Sequence, residues 1–347
     1  MDSKTVEKLY KILYKSYQDL LNLTLLHKVF LLFLILIFLL LLNNKSYYYE
    51  NYEDMTSGSR FETKYDDAIY DSFYANYYDN LHSNKECNVE QLKIIIVYAK
   101  NNKFVKFLDI GCGTGYHVHM LTKMKYDVIG LDKSQSMINQ ANLKYTNSSF
   151  VVGDFLQNNL FDYNSFTHLL CLNKTFYSFK DKELFFEKCS LLLNADGLLI
   201  IHIVDRSIFS PFVISKNDKT VLFNSNDLNE NENKNENKKV SLNIVKINNN
   251  LEYISEYMVL NNDNSKHEDE IINTIKDIDK SPFSCYDEKF TNLETNAVRK
   301  QVINLYIPTI DEIITMAKSK DFRVKDKKPL QTCGINTEFL LILKKSS

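Results

Sequence analysis

No strong charge of either sign marks this chain. Its 42 basic residues face 44 acidic ones, a formal net charge of -2, which leaves no basic field for general nucleic-acid binding. Its six cysteines, at positions 87, 112, 171, 189, 285 and 333, include no Cys-x-x-Cys pair. They fall partly within expected strands and helices and read as reduced core residues, which argues against a zinc site or a disulfide framework and for an intracellular protein with one catalytic domain. Tryptophan is missing while Asn, Lys and Tyr abound, a bias of genome composition more than of function. Glycine is scarce, eight residues in 347, yet three of them stand at 111, 113 and 115.

Residues 107–115 read Phe-Leu-Asp-Ile-Gly-Cys-Gly-Thr-Gly. The apolar run 104–110 predicts a strand buried on both faces of a parallel sheet. A chain turning sharply from such a strand into a helix needs positions without Cβ, where φ can be positive and a ligand can approach the backbone. Asp109 sits near the carboxyl end of the strand, where open α/β sheets bind ligands. A second apolar run, 127–131, ends 23 residues later at Asp132, the spacing of one strand-helix-strand unit. Its carboxylate is suited to both hydroxyls of a ribose, and the same residue is also a good helix N-cap for 134–143. A dinucleotide fingerprint has the form G-x-G-x-x-G and lays a pyrophosphate on a helix N-terminus. Here an acid two residues before the first glycine is followed by G-x-G-x-G.

That pattern, Asp109 to Gly115, closely resembles the first motif of class I S-adenosylmethionine-dependent methyltransferases of the small-molecule type. The resemblance implies an α/β fold, a Rossmann-like seven-stranded methyltransferase sheet with helices on both faces, and S-adenosylmethionine as cofactor. By that resemblance Asp109, Gly111, Cys112, Gly113 and Gly115 hold the methionine end, with Cys112 read from its own surroundings as small filler and not a nucleophile. Asp132, Lys133 and Met137 correspond to the ribose-binding acid and the adenine-side wall. In 150–155 the strand ends in Gly-Asp-Phe, where Asp154 takes the exocyclic amine and Phe155 covers the ring. Residues 167–172 are similar to a fourth strand, ending at Leu172 and Asn173, and 194–197 is the turn before the fifth, with Asp-Gly where the family usually has Pro-Gly. A helix from 307 to 318 and strands at 322–324 and 339–343 match the closing antiparallel pair. The likeness spans roughly 61–210 and 296–345, with the methyltransferase domain bounded at 101–345.

Two inserts interrupt the domain. Residues 224–239 are nearly devoid of apolar side chains and are expected to be disordered. The alternation that follows predicts a β-hairpin at 240–260, which in similar enzymes helps to cover the acceptor; a simple edge extension of the sheet is the alternative. A polar insert, mostly loop, is expected over 261–295. Ahead of the domain, 47–100 is an aromatic-rich helical region. Tyr70, Phe73, Tyr74 and Tyr77 recur at three- and four-residue spacing and share one helix face, either packing on the domain edge or closing as a lid.

Methyl transfer needs mainly positioning and desolvation, and a general base is optional. The catalytic candidates are Asn173, Tyr65 and Tyr74, with Lys174, Tyr177, His202 and Asp205 also placed at the carboxyl edge of the sheet. Asn173-Lys174-Thr175-Phe176 begins where amide and adenine N-methyltransferases carry Asn/Asp-Pro-Pro-aromatic, but both prolines are missing. His202 is expected in the core of the fifth strand. His117 and His119, two residues apart on one helix, do not share a face and make no metal pair.

At the amino terminus, 29–42 is unbroken apolar sequence and a weaker run extends it back to residue 20, behind a basic, amphipathic segment at 1–28. Fourteen helical residues rise only about 21 Å against a bilayer core of about 30 Å, so spanning requires the mixed half, with Lys28 snorkelling. A single-pass membrane anchor at 20–42 is the expectation; an interfacial or cleaved targeting segment and a soluble buried helix are the alternatives. No small-residue cleavage site follows Leu42, and Asp2, Glu7, Asp19 and the lack of arginine disfavour a mitochondrial presequence. The lysines before the segment keep the terminus cytosolic and place the domain in a lumen, whereas the cofactor is made in the cytosol, so sidedness stays open. The resulting expectation is a membrane-tethered methyltransferase acting on a small molecule, with a lipid-like acceptor suggested by the anchor and no nucleic-acid partner. A protein methyltransferase, a non-catalytic membrane scaffold and, more distantly, a dehydrogenase are the competing classes.

Overall fold

The computed structural model describes residues 61–99, 104–157, 160–206, 223–224, 240–247, 250–259, 283–333 and 338–346, together with Thr24 and Phe33. The chain divides into two compact units, Met1–Ser57 and Gly58–Ser347. Apart from Thr24 and Phe33, the expected segments at 1–28 and 20–42 lie outside the described residues, as do nearly all of 224–239 and the whole of 261–282. Among the described residues no helix is long and apolar enough to cross a membrane.

The second unit begins with β1 (Phe61–Tyr65), a short helical turn, and then helices α1 (Ser72–His82) and α2 (Lys85–Ala99). Asp71 caps α1 by accepting a hydrogen bond from the Tyr74 amide at 3.1 Å, satisfying one of the otherwise orphaned first-turn donors. The core alternation follows: β2 (Lys106–Ile110), α3 (Tyr116–Lys123), β3 (Asp127–Asp132), α4 (Gln135–Lys144), β4 (Ser149–Val152), β5 (Phe166–Cys171), α5 (Lys182–Leu192) and β6 (Leu193–Val204). Next come β7 (Phe223–Asn224), β8 (Val240–Ile247), β9 (Leu251–Val259), β10 (Phe283–Asn292) and β11 (Val298–Tyr306). The chain closes with α6 (Ile310–Ser319), β12 (Phe322–Pro329) and β13 (Glu338–Lys345).

Seven of the strands form one sheet in the order β12-β13-β6-β5-β2-β3-β4, parallel except for β13 against β6 and β12 against β13. Every residue of β5 is buried, as a central parallel strand covered on both faces requires. Phe107, Leu170, Ile200, Leu340 and Ile342 join Leu92, Ile95 and Ala99 of α2 and Val118 and Leu121 of α3 in one cluster. The alternate residues Leu108, Leu169, Ile201 and Leu341 are also buried and point to the opposite face.

The expected turn at 194–197 is a bulge inside β6: Asp196 has φ 64°, and the register against β5 jumps from Phe166–Leu193 to His168–Leu198. Asp-Gly serves there because both residues tolerate turn geometry, in place of the anticipated Pro-Gly.

The inserted region departs from the expected single hairpin. β8 and β9 do pair antiparallel, but they belong to a second, six-stranded sheet in the order β1-β11-β10-β9-β8-β7. β10, placed by the sequence in a polar insert, is a ten-residue strand between β9 and β11. Its alternation Tyr286, Glu288, Phe290 on the buried side hides a carboxylate at a core position, so the hydrophobic period is broken and the strand reads as polar. β1 joins this sheet parallel to β11 through pairing with residues more than 230 positions away.

A second correction concerns the cysteines. Cys87 on α2 and Cys333, just after β12, form a disulfide across 246 residues. Local spacing has no access to such a pair; α2 brings it together by receiving the 331–333 turn, whose Gln331 and Thr332 amides donate to Glu90. Cys112, Cys171 and Cys189 are free thiols. Replacing Cys333 with Ser is expected to lower the chemical-denaturation stability of the non-reduced protein by about 2–4 kcal/mol. A dithiothreitol-treated wild type should match the variant, and an unchanged midpoint in both would remove the bond from the account of stability.

Candidate active site

The loop after β2 is held against β3 by two backbone hydrogen bonds, from the Gly111 and Cys112 amides to the Leu131 carbonyl at 2.8 and 3.0 Å. Gly113 has φ 53°, and a Cβ there would have only Tyr78 Cε1 near it, at 3.7 Å. The backbone at that point therefore lies open to a ligand. Gly115 caps α3 at φ 86°, where a Cβ would strike the Phe150 ring at 2.5 Å; it is a packing position and does not face the ligand side. Cys112 points inward, over Gly130, in the filler role expected of it.

Asp132 is fixed by two amides, Gly113 donating to Oδ2 at 2.8 Å and Ser134 to Oδ1 at 2.9 Å. Each oxygen keeps lone-pair capacity for a hydroxyl. The residue that caps α4 is Ser134, which accepts from the Met137 amide, so the N-cap role considered for Asp132 falls to its neighbour two positions on. Burial pushes the Asp132 carboxyl up, against the pull of the two amides. Asp109 lies beneath, 2% exposed. Burial first, and then the Asp132 charge, raise it to about 8. Asp154 accepts from the Leu156 amide at 3.0 Å and pairs with Lys133 at 3.1 Å, while Phe155 packs its ring on Phe179 and Phe185.

These groups open into a cavity of about 620 Å³, within the roughly 300–1,000 Å³ typical of small-molecule sites. Gly111, Gly113, Asp132, Lys133, Met137, Asp154, Phe155 and Asn173 line one side. Asp109, Cys112, Gly115 and Leu172, expected at the cofactor, lie behind this wall and act through the loop and strands they support.

The facing wall is built from α1 and the second sheet: Tyr70, Tyr74, Tyr78 and His82 on one side, Tyr286, Ile303 and Leu305 on the other. α1 is docked over the glycine loop because Asp79 accepts from Thr114 Oγ1 at 2.5 Å and pairs with Lys144 of α4 at 2.6 Å. Behind the tyrosines Glu288, 1% exposed, accepts from Tyr74 at 2.9 Å, Tyr253 at 2.5 Å and Gln301 at 2.9 Å. Burial alone would raise its pKa, but the His82 contact and the tyrosine hydroxyls outweigh that and hold it below the ordinary value. Tyr74 spends its one hydroxyl hydrogen on Glu288. His82 Nε2, 2.7 Å from the same oxygen, is then the donor in that contact, and in a neutral ring Nδ1 keeps the lone pair.

Of the catalytic candidates, Tyr74 and Asn173 meet the cavity. Asn173 has φ 47° and is held from α2, accepting from Gln91 at 3.1 Å and donating to Asn88 at 3.3 Å. Tyr65 does not reach the site: it is 58% exposed at the end of β1. Tyr177 bonds the Val204 backbone from a buried position and Asp205 is off the cavity wall. Lys174 lines the cavity and pairs with Glu338 at 2.8 Å, which also meets His202 at 2.8 Å. Burial would raise Glu338, yet its bond to His202 and the Lys174 charge bring it down to about 2. His202 is thus a core residue, as expected, in a charged network under the site. His117 is buried in α3 and His119 stacks on Tyr145 at 4.0 Å. Sequence reasoning missed Tyr78, His82, Glu288, Tyr286, Ile303 and Leu305. The four-residue spacing of Tyr70, Tyr74, Tyr78 and His82 is the one signal that held two of them, Tyr78 and His82.

A model of a methyltransferase domain matches residues 107–197, the stretch from β2 into β6. No curated protein matches the chain. Among solved structures it is similar to the CcbJ methyltransferase from Streptomyces caelestis, at 10% identity and a TM-score of 0.55, covering 80% of this chain and 98% of that one. An S-adenosylmethionine-dependent methyltransferase from Clostridium acetobutylicum is similar at 15% identity and 0.53, over 79% and 98%. The sugar N-methyltransferase KedS8 from a Streptoalloteichus species aligns at 14% identity and 0.52, over 79% and 93%. At such identities these likenesses establish the fold. The domain match, together with the open glycine loop and its acids, makes the protein a methyltransferase enzyme. Its cofactor is S-adenosylmethionine: the exposed Gly113 backbone, the lone pairs left on Asp132, and the Phe155 wall beside Asp154 fit the amino-acid, ribose and adenine parts in turn.

Asp109, which faces Asp132 and the Cys112 and Cys171 thiols, is mostly protonated at pH 7 without ligand. A cationic cofactor favours its ionised form, so binding should release a proton and tighten as pH rises from 6 toward 8. Calorimetric titration of S-adenosylmethionine in buffers of different ionisation enthalpy measures that release, and Asp109→Asn should abolish it and flatten the pH dependence.

Proposed function

We propose that the protein transfers a methyl group from S-adenosylmethionine to a small-molecule acceptor held between the glycine loop and the second sheet, while tethered to a membrane through residues 20–42. The observation that carries this reading is the continuity of the cavity: Gly113 and Asp132 on one wall and Tyr286, Ile303 and Leu305 on the other bound a single space. That space suits a cofactor and a compact acceptor together. Two similar structures, an amino pentose methyltransferase and a sugar N-methyltransferase, are named for small-molecule acceptors and support the same class. The tether rests on the apolar run at 29–42 and its extension to residue 20, and it favours a lipid-like or membrane-dissolved acceptor.

The cofactor, when bound, supplies an electrophilic methyl on a sulfonium centre. The chain supplies position and dryness: α1 and the second sheet exclude water from the reacting side, which strengthens every electrostatic contact within. Met137 and Phe155 wall the apolar part of the cofactor and Asp132 fixes its ribose. His82 Nδ1 is the atom suited to hold a proton given up by the acceptor.

The test is transfer of radiolabel from methyl-labelled S-adenosylmethionine by the full, detergent-solubilised chain into membrane and soluble extracts, separated into small molecules and protein. Label should enter the small-molecule fraction, and Asp132→Ala should abolish it. Label confined to precipitated protein would replace this reading with protein methylation. His82→Ala is expected to lower kcat at least about tenfold with S-adenosylhomocysteine affinity unchanged; a matching loss of affinity would make His82 structural. Alkaline carbonate should leave the full chain in the membrane pellet, and its release would remove the spanning tether.

A further inference from the structure

Tyr74, Tyr78 and His82 stand four residues apart on α1 and share one face of it, with Tyr70 just ahead of the helix. Their rings do not lie flat on one another. Tyr70 and Tyr74 meet at 63° with centroids 5.7 Å apart, and Tyr74 and Tyr78 at 77° and 5.8 Å. Tyr286 completes the enclosure from β10. The faces of such rings carry negative charge density and attract cations.

Behind them sits the ionised Glu288. Among the described residues the side chain ion-paired with it, when protonated, is His82, at 3.4 Å, while Gln301, Tyr74 and Tyr253 contribute neutral hydrogen bonds. Arg299 is kept one step away, bonded to Gln301 and to Asp71. A carboxylate withdrawn from water this far is costly unless opposite charge is near. The field is felt along the wall: the Tyr70 hydroxyl is pushed well up by burial, then by Tyr78, Glu288 and Asp132, and that of Tyr78 by burial, then by Asp132, Asp79 and Glu288. The lysines on the wall do not offset it there. Lys133 is paired with Asp67 and Asp154, Lys174 with Glu338, and Lys180 is exposed.

We propose that this half of the cavity is an ammonium-binding site, so that the methyl acceptor is an amine held as its cation by Tyr70, Tyr74, Tyr78 and Tyr286 in front of Glu288. The inference rests on the proposed methyl transfer and names its substrate class. A protonated amine has no free electron pair. It becomes nucleophilic when its N–H bond gives the proton to His82 Nδ1 and the bonding pair stays on nitrogen, leaving a neutral amine and an imidazolium next to Glu288.

The experiment uses the full chain in detergent, saturated with S-adenosylhomocysteine, and titrates tetramethylammonium chloride by calorimetry, with 2,2-dimethylpropan-1-ol as a neutral molecule of similar size. The cation should bind at least about tenfold more tightly than the alcohol, the scale of one to two cation–π contacts. Tyr78→Leu should weaken it about tenfold, whereas Tyr78→Phe, which keeps the ring, should not. Glu288→Gln should also weaken it; if that variant does not fold, the Tyr78 pair carries the test. Equal binding of cation and alcohol, or unaltered binding by Tyr78→Leu, overturns the proposal while leaving methyl transfer intact. Expulsion of tetramethylammonium by S-adenosylhomocysteine overturns it too, by assigning the rings to the cofactor. Failure of the folded chain to bind S-adenosylhomocysteine at all brings down the proposed function with it.

Discussion

Glu288 places a negative charge where almost no water reaches, and much of the catalytic architecture is arranged to tolerate it. Tyr74 comes to it from α1, Tyr253 from β9, Gln301 from β11 and His82 from the last turn of α1. The Tyr74 and His82 contacts tie the second sheet to the helix that covers the glycine loop, while Tyr253 and Gln301 hold the carboxylate from within the sheet. A buried carboxylate stripped of one partner costs about 3–5 kcal/mol, so the contact is close to all-or-none. Its consequence is geometric: α1 is held over the loop from one side by Glu288 and from the other by Asp79, through Thr114 and Lys144.

The two halves of the cavity differ in how they are made. The cofactor half follows from a local rule, because parallel strands β2, β3 and β4 end at the same edge of the sheet, with Asp109 and Asp132 in the last two residues of β2 and β3 and Asp154 two residues past β4. The facing half is assembled from α1 and from β10 and β11, which follow it by about two hundred residues, and they share no motif. An enzyme that keeps the cofactor frame and varies this second wall changes acceptor without disturbing the chemistry it borrows from the cofactor. Beneath both halves, Lys174, Glu338 and His202 tie the end of β5 to β6 and β13, and Gln91 joins this group to Asn173 and α2.

Legibility in the sequence tracks that difference. The apolar runs at 104–110 and 127–131 became β2 and β3 within two residues, and the glycine loop stood where its spacing put it. Asp109 was placed correctly in the strand but not on the cavity wall, because spacing reports position along a strand and not which face a side chain takes once its neighbours pack. Tyr65 and Tyr74 looked alike as aromatic residues ahead of the domain, yet one ends on an exposed strand edge and the other in the site. β10 was hidden by Glu288 itself, a charge at an inward position that breaks the alternation a strand is recognised by.

What the sequence by itself determined is the frame: the alternation of strands and helices with its cofactor edge, the loop that requires glycine, and an aromatic helix ahead of them. These depend on hydrophobic period and on backbone conformations available to few residues, both of which are written within a dozen positions. Only the tertiary structure decided the second sheet, the Cys87–Cys333 bond and the seat of Glu288. The β1–β11 pairing, the disulfide and the Tyr74–Glu288 contact join residues more than two hundred apart, where the favourable terms are burial and charge compensation. Neither exists until the chain has closed on itself.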